Sequence, residues 1–138
     1  MKTVMIFGTF DILHQGHLSV FKAARRAGDH VITVVARDTT VKKHKQHPIH
    51  TELERKRMLE CISLIDEVVL GCKKNPYKII KNKQPDIILL GYDQKVFVDQ
   101  LKEKLKEFGL STKVKRLPSY KPKTYKSNKI RQKMEKSM

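Results

Sequence analysis

Residues 8–17 read Gly8-Thr9-Phe10-Asp11-Ile12-Leu13-His14-Gln15-Gly16-His17, between an apolar run, 3–7, and a segment carrying Leu18, Phe21 and Ala24 near helical spacing. The pattern predicts a buried strand, a glycine-bearing loop and a helix over about 17–26. Glycines at 8 and 16 let the backbone come close to a ligand. Two histidines end in the same turn, and the new helix offers unpaired N–H groups and the positive end of its dipole. That combination suits a phosphate. Phosphoryl or nucleotidyl transfer needs donors placed around oxygens that gain charge in the transition state, and His14 and His17 supply them without a covalent step. Zinc would need a third and usually a fourth ligand beside this pair, and neither an HExxH pattern nor a cysteine pair stands nearby.

Outward from this loop the chain alternates. The β-branched run 30–36 predicts a second strand, and the polar stretch 37–50, which has no apolar period and contains Pro48, predicts a loop. His44, His47 and His50 recur every third residue, but Pro48 breaks any helix that would align them, so they read as a solvated loop. Thr51 followed by Glu54 has capping-box spacing and predicts a helix to about Ser63, with Leu53, Met58, Leu59 and Ile62 as its apolar side. Strands are expected at 67–70, 86–90 and 113–117, and helices at 77–82, 96–108 (capped by Gly109) and 129–136. Such alternation predicts an α/β fold, a mostly parallel sheet covered on both faces, as a single domain over 1–138. Ligands then belong at the carboxyl ends of the strands, in the loops 8–16, 37–50, 71–75, 91–95 and 117–128.

The chain has 138 residues and a net charge of +16. The excess is uneven: residues 1–70 carry 11 basic and 8 acidic side chains, residues 71–138 carry 19 and 6. A positive second half attracts polyphosphates or nucleic acid. Lysines every two or three residues with little aromatic interleaving read better as a solvated surface than as a single-strand binder, and a basic nucleic-acid-binding module is the alternative of a different class. No apolar run approaches the roughly 20 residues of a membrane span, and no secretory pattern opens the chain, so the expected compartment is the cytoplasm. Cys61 and Cys72 form neither a CxxC pair nor a disulfide framework and are read as thiols.

The segment 8–17 resembles the signature of the cytidylyltransferase-like nucleotidyltransferases, GTFD followed after two or three residues by HxGH. Seven specified positions match, which by chance would occur on the order of once in 10⁷ such chains. The stretches 34–41 (VVARDTTV), 52–60 (ELERKRMLE), 65–71 (IDEVVLG) and 85–94 (PDIILLGYDQ) are similar to the archaeal FAD synthase branch of that family. The resemblance implies a Rossmann-like three-layer fold and adenylyl transfer from ATP to FMN with release of pyrophosphate, assisted by a divalent metal, Mg²⁺. It also implies a homodimer, with no membrane or nucleic-acid partner.

Carried over position by position, His14 and His17 are the catalytic pair, and Gly8, Thr9 and Phe10 belong to the nucleotide cradle. Gly91 and Asp93 form the nucleotide-side loop, and Ser127 and Asn128 cap a last helix that holds the distal phosphates. Asp11 faces the acceptor or its metal, and Lys43, Lys45 and Arg55 contact phosphate or acceptor; Arg55 reads equally as a helix-surface charge. No metal-ligand set is assigned. The runner-up activity is a glycerol-3-phosphate cytidylyltransferase. Members of that branch have a tryptophan where GYDQ ends and an RTxGIST-like stretch before the last helix, where this chain has KTYKSNKI at 123–130.

Overall fold

The computed structural model describes residues 1–43, 47–73, 75, 77–91 and 98–117. Its elements run β1 (Thr3–Gly8), α1 (Gln15–Ala27), β2 (His30–Val35), α2 (Asp38–Lys43), α3 (Glu52–Glu60), β3 (Glu67–Leu70), α4 (Lys78–Lys83), β4 (Ile87–Leu90), α5 (Val98–Glu107) and β5 (Lys113–Arg116). The five strands form one sheet in the order β3-β2-β1-β4-β5, and every pairing is parallel. The predicted α/β class holds, with the parallel sheet and helices on both faces. The expected helix at 129–136 lies outside the described residues.

Alternation along the strands divides the core in two. Val4, Ile6, Val31, Val35, Ile87 and Leu89 pack with Phe21 and Ala24 of α1 and Leu59 of α3. Met5, Ile32, Val34, Ile88 and Leu90 pack with Tyr77, Ile80, Leu101 and Leu105, from the α4 and α5 side. Strands apolar on both faces need this double cover, because successive side chains point to opposite sides of the sheet. Among the described residues no helix is long and apolar enough to cross a membrane.

Local signals explain most of the boundaries. Thr51 caps α3, accepting the Glu54 backbone N–H while Glu54 reaches back to the Thr51 N–H, the reciprocal pair that the spacing predicts. Gly109 follows α5 with φ +69°, a left-handed stop open to glycine. Two expectations change. The stretch predicted as loop contains the six-residue α2, whose one buried apolar residue, Val41, gives no period to read. α3 ends at Glu60, short of the expected Ser63; on it Leu53 is 54% exposed, and the inward face is Arg55 and Leu59, at i and i+4, with Ile62 packing just beyond the helix. A charged residue occupies the core position that the apolar count assigned to its neighbour.

The strand order also sets where a ligand fits. β1 is central: the chain leaves it toward β2 and β3, then returns to place β4 on its other side. This is the switch point of an open parallel sheet, where the loops after two adjacent strands diverge and leave a crevice. Those loops begin at Gly8 and Gly91.

Candidate active site

α1 starts at Gln15 because His14 caps it. The backbone N–H of Gly16 donates to His14 Nδ1 at 3.1 Å, and the N–H of His14 donates to His17 Nδ1 at 3.3 Å. The two imidazoles thus form a reciprocal capping box of the kind usually made by Ser or Thr with Glu. An Nδ1 that accepts is unprotonated, so each neutral ring carries its proton on Nε2. The rings stack with centroids 4.1 Å apart and planes 30° apart. Burial holds the His14 pKa below its ordinary value, which favours the neutral ring. Two neutral N–H donors therefore share the helix end whose dipole already favours an anion.

The loop leading to this helix is tied down by two buried charges. Asp11 is 3% exposed, and its two carboxylate oxygens accept the backbone N–H groups of Ile49 and His50 at 2.8 and 2.9 Å. Arg55 is 0% exposed. Its guanidinium donates to the carbonyls of Thr9 (2.8 Å), Ala36 (2.9 Å) and His50 (3.2 Å) and to the Asp38 carboxylate (2.7 Å). Arg55 is thus not a helix-surface charge: four of its five N–H donors go to protein oxygens and the side chain is buried. It joins the ends of β1 and β2 to the start of α3. For Asp11 the structure shows a loop-holding role, with both oxygens turned to the backbone of the 49–50 segment.

The sequence reading passed over Asp38 and Glu52, which complete this lattice. Glu52 accepts the Asp38 N–H (2.8 Å) and pairs with Arg37 (2.9 Å), Asp38 accepts the Glu52 N–H (3.2 Å), and Arg37 donates to the Gly71 carbonyl (2.7 Å). Burial opposes ionisation of Asp38, but the hydrogen bond and charge of Arg55 and the Glu52 N–H outweigh it and hold the carboxyl below its usual range. The Asp38 N–H and then the Arg37 guanidinium do the same for Glu52, against some burial. The available signal was positional: Arg37 and Asp38 follow β2 directly, at the carboxyl edge where ligand loops begin.

Across the switch point, Gly91 stands level with Gly8, two residues beyond the last matched pair of β1 and β4, Ile6 with Leu89. Its carbonyl accepts Arg116 Nη1 at 2.9 Å, and Leu117 N–H donates to Leu90 at 2.8 Å, so the end of β4 is anchored to β5. Gly8, Thr9, Phe10, His14, His17 and Gly91 therefore share one end of the sheet. Lys43 is the last residue of α2, the helix that follows β2. Lys45, Asp93, Ser127 and Asn128 lie outside the described residues. Among the described residues no three His, Cys, Asp or Glu side chains group closely enough to hold a metal ion.

Comparison with known proteins agrees with this geometry. The family described as cytidylyltransferase-like matches residues 5–133. A FAD synthase of Aciduliprofundum boonei is 44% identical over 120 residues, covering 87% of this chain and 80% of that one. A FAD synthase of Thermococcus sibiricus is 42% identical over 135 residues, covering 95% and 90%. Among solved structures, the lipopolysaccharide core biosynthesis protein of Thermoplasma volcanium superposes with a TM-score of 0.82 at 37% identity, over 87% of this chain and 98% of that one. A pantoate-beta-alanine ligase of Francisella tularensis, at 17% identity with a TM-score of 0.64, covering 94% of this chain and 67% of that one, shares the fold.

Proposed function

The chain belongs to the cytidylyltransferase-like family, and from that premise we propose that it is an FMN adenylyltransferase, making FAD from ATP and FMN. The observation that carries this reading is the identity of 40 to 44% with FAD synthases over most of the chain. The site chemistry supports it. A phosphate oxygen of FMN attacks the α-phosphorus of ATP, the new P–O bond forms as the bond to the β-phosphate oxygen breaks, and pyrophosphate leaves with the electron pair. His14 and His17 point Nε2–H groups at the non-bridging oxygens, whose charge grows in the transition state, and the head of α1 adds its N–H groups. Neither imidazole needs to gain or lose a proton for this role.

Gly8 and Thr9 form the backbone cradle, Gly91 and Asp93 read the base, and Lys43 and Lys45 neutralise phosphate. Ser127 and Asn128 cap a helix toward the distal phosphates. A divalent ion, Mg²⁺, bound with the triphosphate would supply charge neutralisation for it and for the leaving pyrophosphate. The chain works as one domain in the cytoplasm, as a homodimer, which analytical ultracentrifugation reads directly.

The test is a product assay. Purified protein is given ATP, Mg²⁺ and FMN, and separately CTP, Mg²⁺ and glycerol 3-phosphate, and the products are separated by chromatography. FAD and pyrophosphate in equal amounts are expected from the first mixture. CDP-glycerol from the second, with no FAD from the first, overturns the choice of substrates and leaves the nucleotidyltransferase class.

A further inference from the structure

Phe10 has φ +53°, one of two non-glycine residues with positive φ among the described residues. An aromatic residue enters this left-handed region only where its surroundings over-determine it, and such positions gather at functional sites. The surroundings here do so from three sides. Thr9 is held through its carbonyl by Arg55, and Asp11 through its carboxylate by the Ile49 and His50 N–H groups. Between them the Phe10 ring folds inward and is 6% exposed. It meets Phe21 at 5.6 Å between centroids and His17 edge-on at 5.5 Å and 62°.

Gly8 completes the arrangement. A Cβ at Gly8 would lie 2.8 Å from Phe10 Cζ and 2.9 Å from Cε2, so the ring occupies the space that any other residue at 8 would fill. The glycine is needed for close approach by the protein's own phenyl ring, in addition to any approach by a ligand. The same ring meets the His17 ring edge-on, while His14 stacks on that ring. His17 accepts a long hydrogen bond through Nδ1, stacks on His14 and takes this edge contact from Phe10.

We infer that Phe10 is a positioning residue for nucleotidyl transfer. Its left-handed turn and the missing side chain at Gly8 place its ring where it fixes the plane of His17, and so the direction of the His17 Nε2–H. The buried ring offers the nucleotide almost no surface, so the ring serves the nucleotide through His17, while the Phe10 backbone stays part of the cradle. Without the ring, the plane of His17 loses this edge support, and its donor shifts from the line to the phosphate. A donor aimed at charge that develops only in the transition state is sensitive to such a displacement, whereas ground-state affinity, shared among many contacts, is not.

The inference rests on the adenylyltransferase reading for its kinetic arm only. The experiment compares the parent with Phe10→Leu, Gly8→Ala and the double variant, reading kcat and KM for ATP with FMN, thermal denaturation, and ring ¹⁵N signals of labelled histidine in the free protein. Phe10→Leu is expected to lower kcat about 10- to 100-fold with the KM for ATP within about threefold, and to move the His17 signals from a pure Nε2–H pattern to a tautomer mixture. Gly8→Ala is expected to move the same signals, and its kcat loss should shrink in the Phe10→Leu background, where the ring its Cβ would strike is gone. Gly8→Ala also carries the test if Phe10→Leu does not fold.

A Phe10→Leu protein of lower melting temperature that keeps the parental kcat and histidine signals overturns the inference and makes the ring core packing alone. Kinetic losses of the two single variants that multiply in the double variant, with unmoved histidine signals, overturn it as well. If the parent makes no FAD, the proposed activity falls, while the histidine signals still decide whether Phe10 sets His17.

Discussion

His14 and His17 stack at 4.1 Å while each gives its Nδ1 to a backbone N–H at the head of α1, so the helix cap and the pair of Nε2–H groups are the same two side chains. A Ser or Thr cap paired with Glu would satisfy the backbone as well but would offer one hydroxyl donor and a carboxylate in place of two N–H donors. Folding of the helix and alignment of the donors are therefore coupled, and four substitutions or conditions separate the effects.

His17→Ala removes one donor and one arm of the capping box. Loss of a single such donor is expected to lower kcat about 10²- to 10³-fold. The cap loss costs stability only about 1 kcal/mol, small against a typical domain. Circular dichroism with kinetics on the purified variant checks both parts, and a near-parental rate in a folded variant removes His17 from the reaction.

Arg55→Ala is expected to act mainly on the fold. It deprives the Thr9, Ala36 and His50 carbonyls of their donor and leaves Asp38 without its buried partner. Breaking a buried pair by removing one member costs about 3–5 kcal/mol, reduced here to the extent that the Asp38 side chain, 30% exposed, is rehydrated. Urea denaturation measures the loss. A change within about 0.5 kcal/mol would mean that the guanidinium lattice contributes nothing to the folded state.

Acid should weaken both stability and activity through His14. Burial lowers its folded pKa below the value of about 6.5 it has in the unfolded chain, so between the two values the unfolded state binds more protons. The contribution of the neutral ring is fully present above about pH 6.5 and is lost as the pH falls through the folded value. Protonating Nδ1 also turns the acceptor of the Gly16 N–H into a donor and breaks the cap. Melting temperature against pH, compared with His14→Asn, whose side chain caps a helix without titrating, reads the effect: the acid-side slope should be smaller in the variant.

Lys43→Ala with Lys45→Ala should raise the KM for ATP or FMN at least several-fold while moving the melting temperature little, because the role proposed for both is phosphate binding and single lysine charges contribute little to folding. The salt dependence of KM should weaken in the double variant, since two screened attractions are gone. Unchanged affinity for both substrates would make this stretch a solvated surface.

What the sequence alone determined about this protein is its local syntax. A strand, a glycine loop and a helix around 8–17, the capping box at Thr51 and Glu54, and the stop at Gly109 are decided by residues a few positions apart, where propensity and hydrogen-bonding reach act directly. The alternation of such units made a parallel sheet the expected answer. The tertiary structure decided what depends on partners distant in the chain. Arg55 looked like any helix-surface charge because nothing nearby in sequence reveals that Thr9, Ala36 and Asp38 surround it. α2 was invisible because six residues with one buried valine carry no period. The left-handed turn at Phe10 is held by Arg55 on one side and by the Ile49 and His50 N–H groups on the other, so it exists only once β1, β2 and α3 have met. Burial and backbone strain belong to the assembled packing, and no window of sequence contains them.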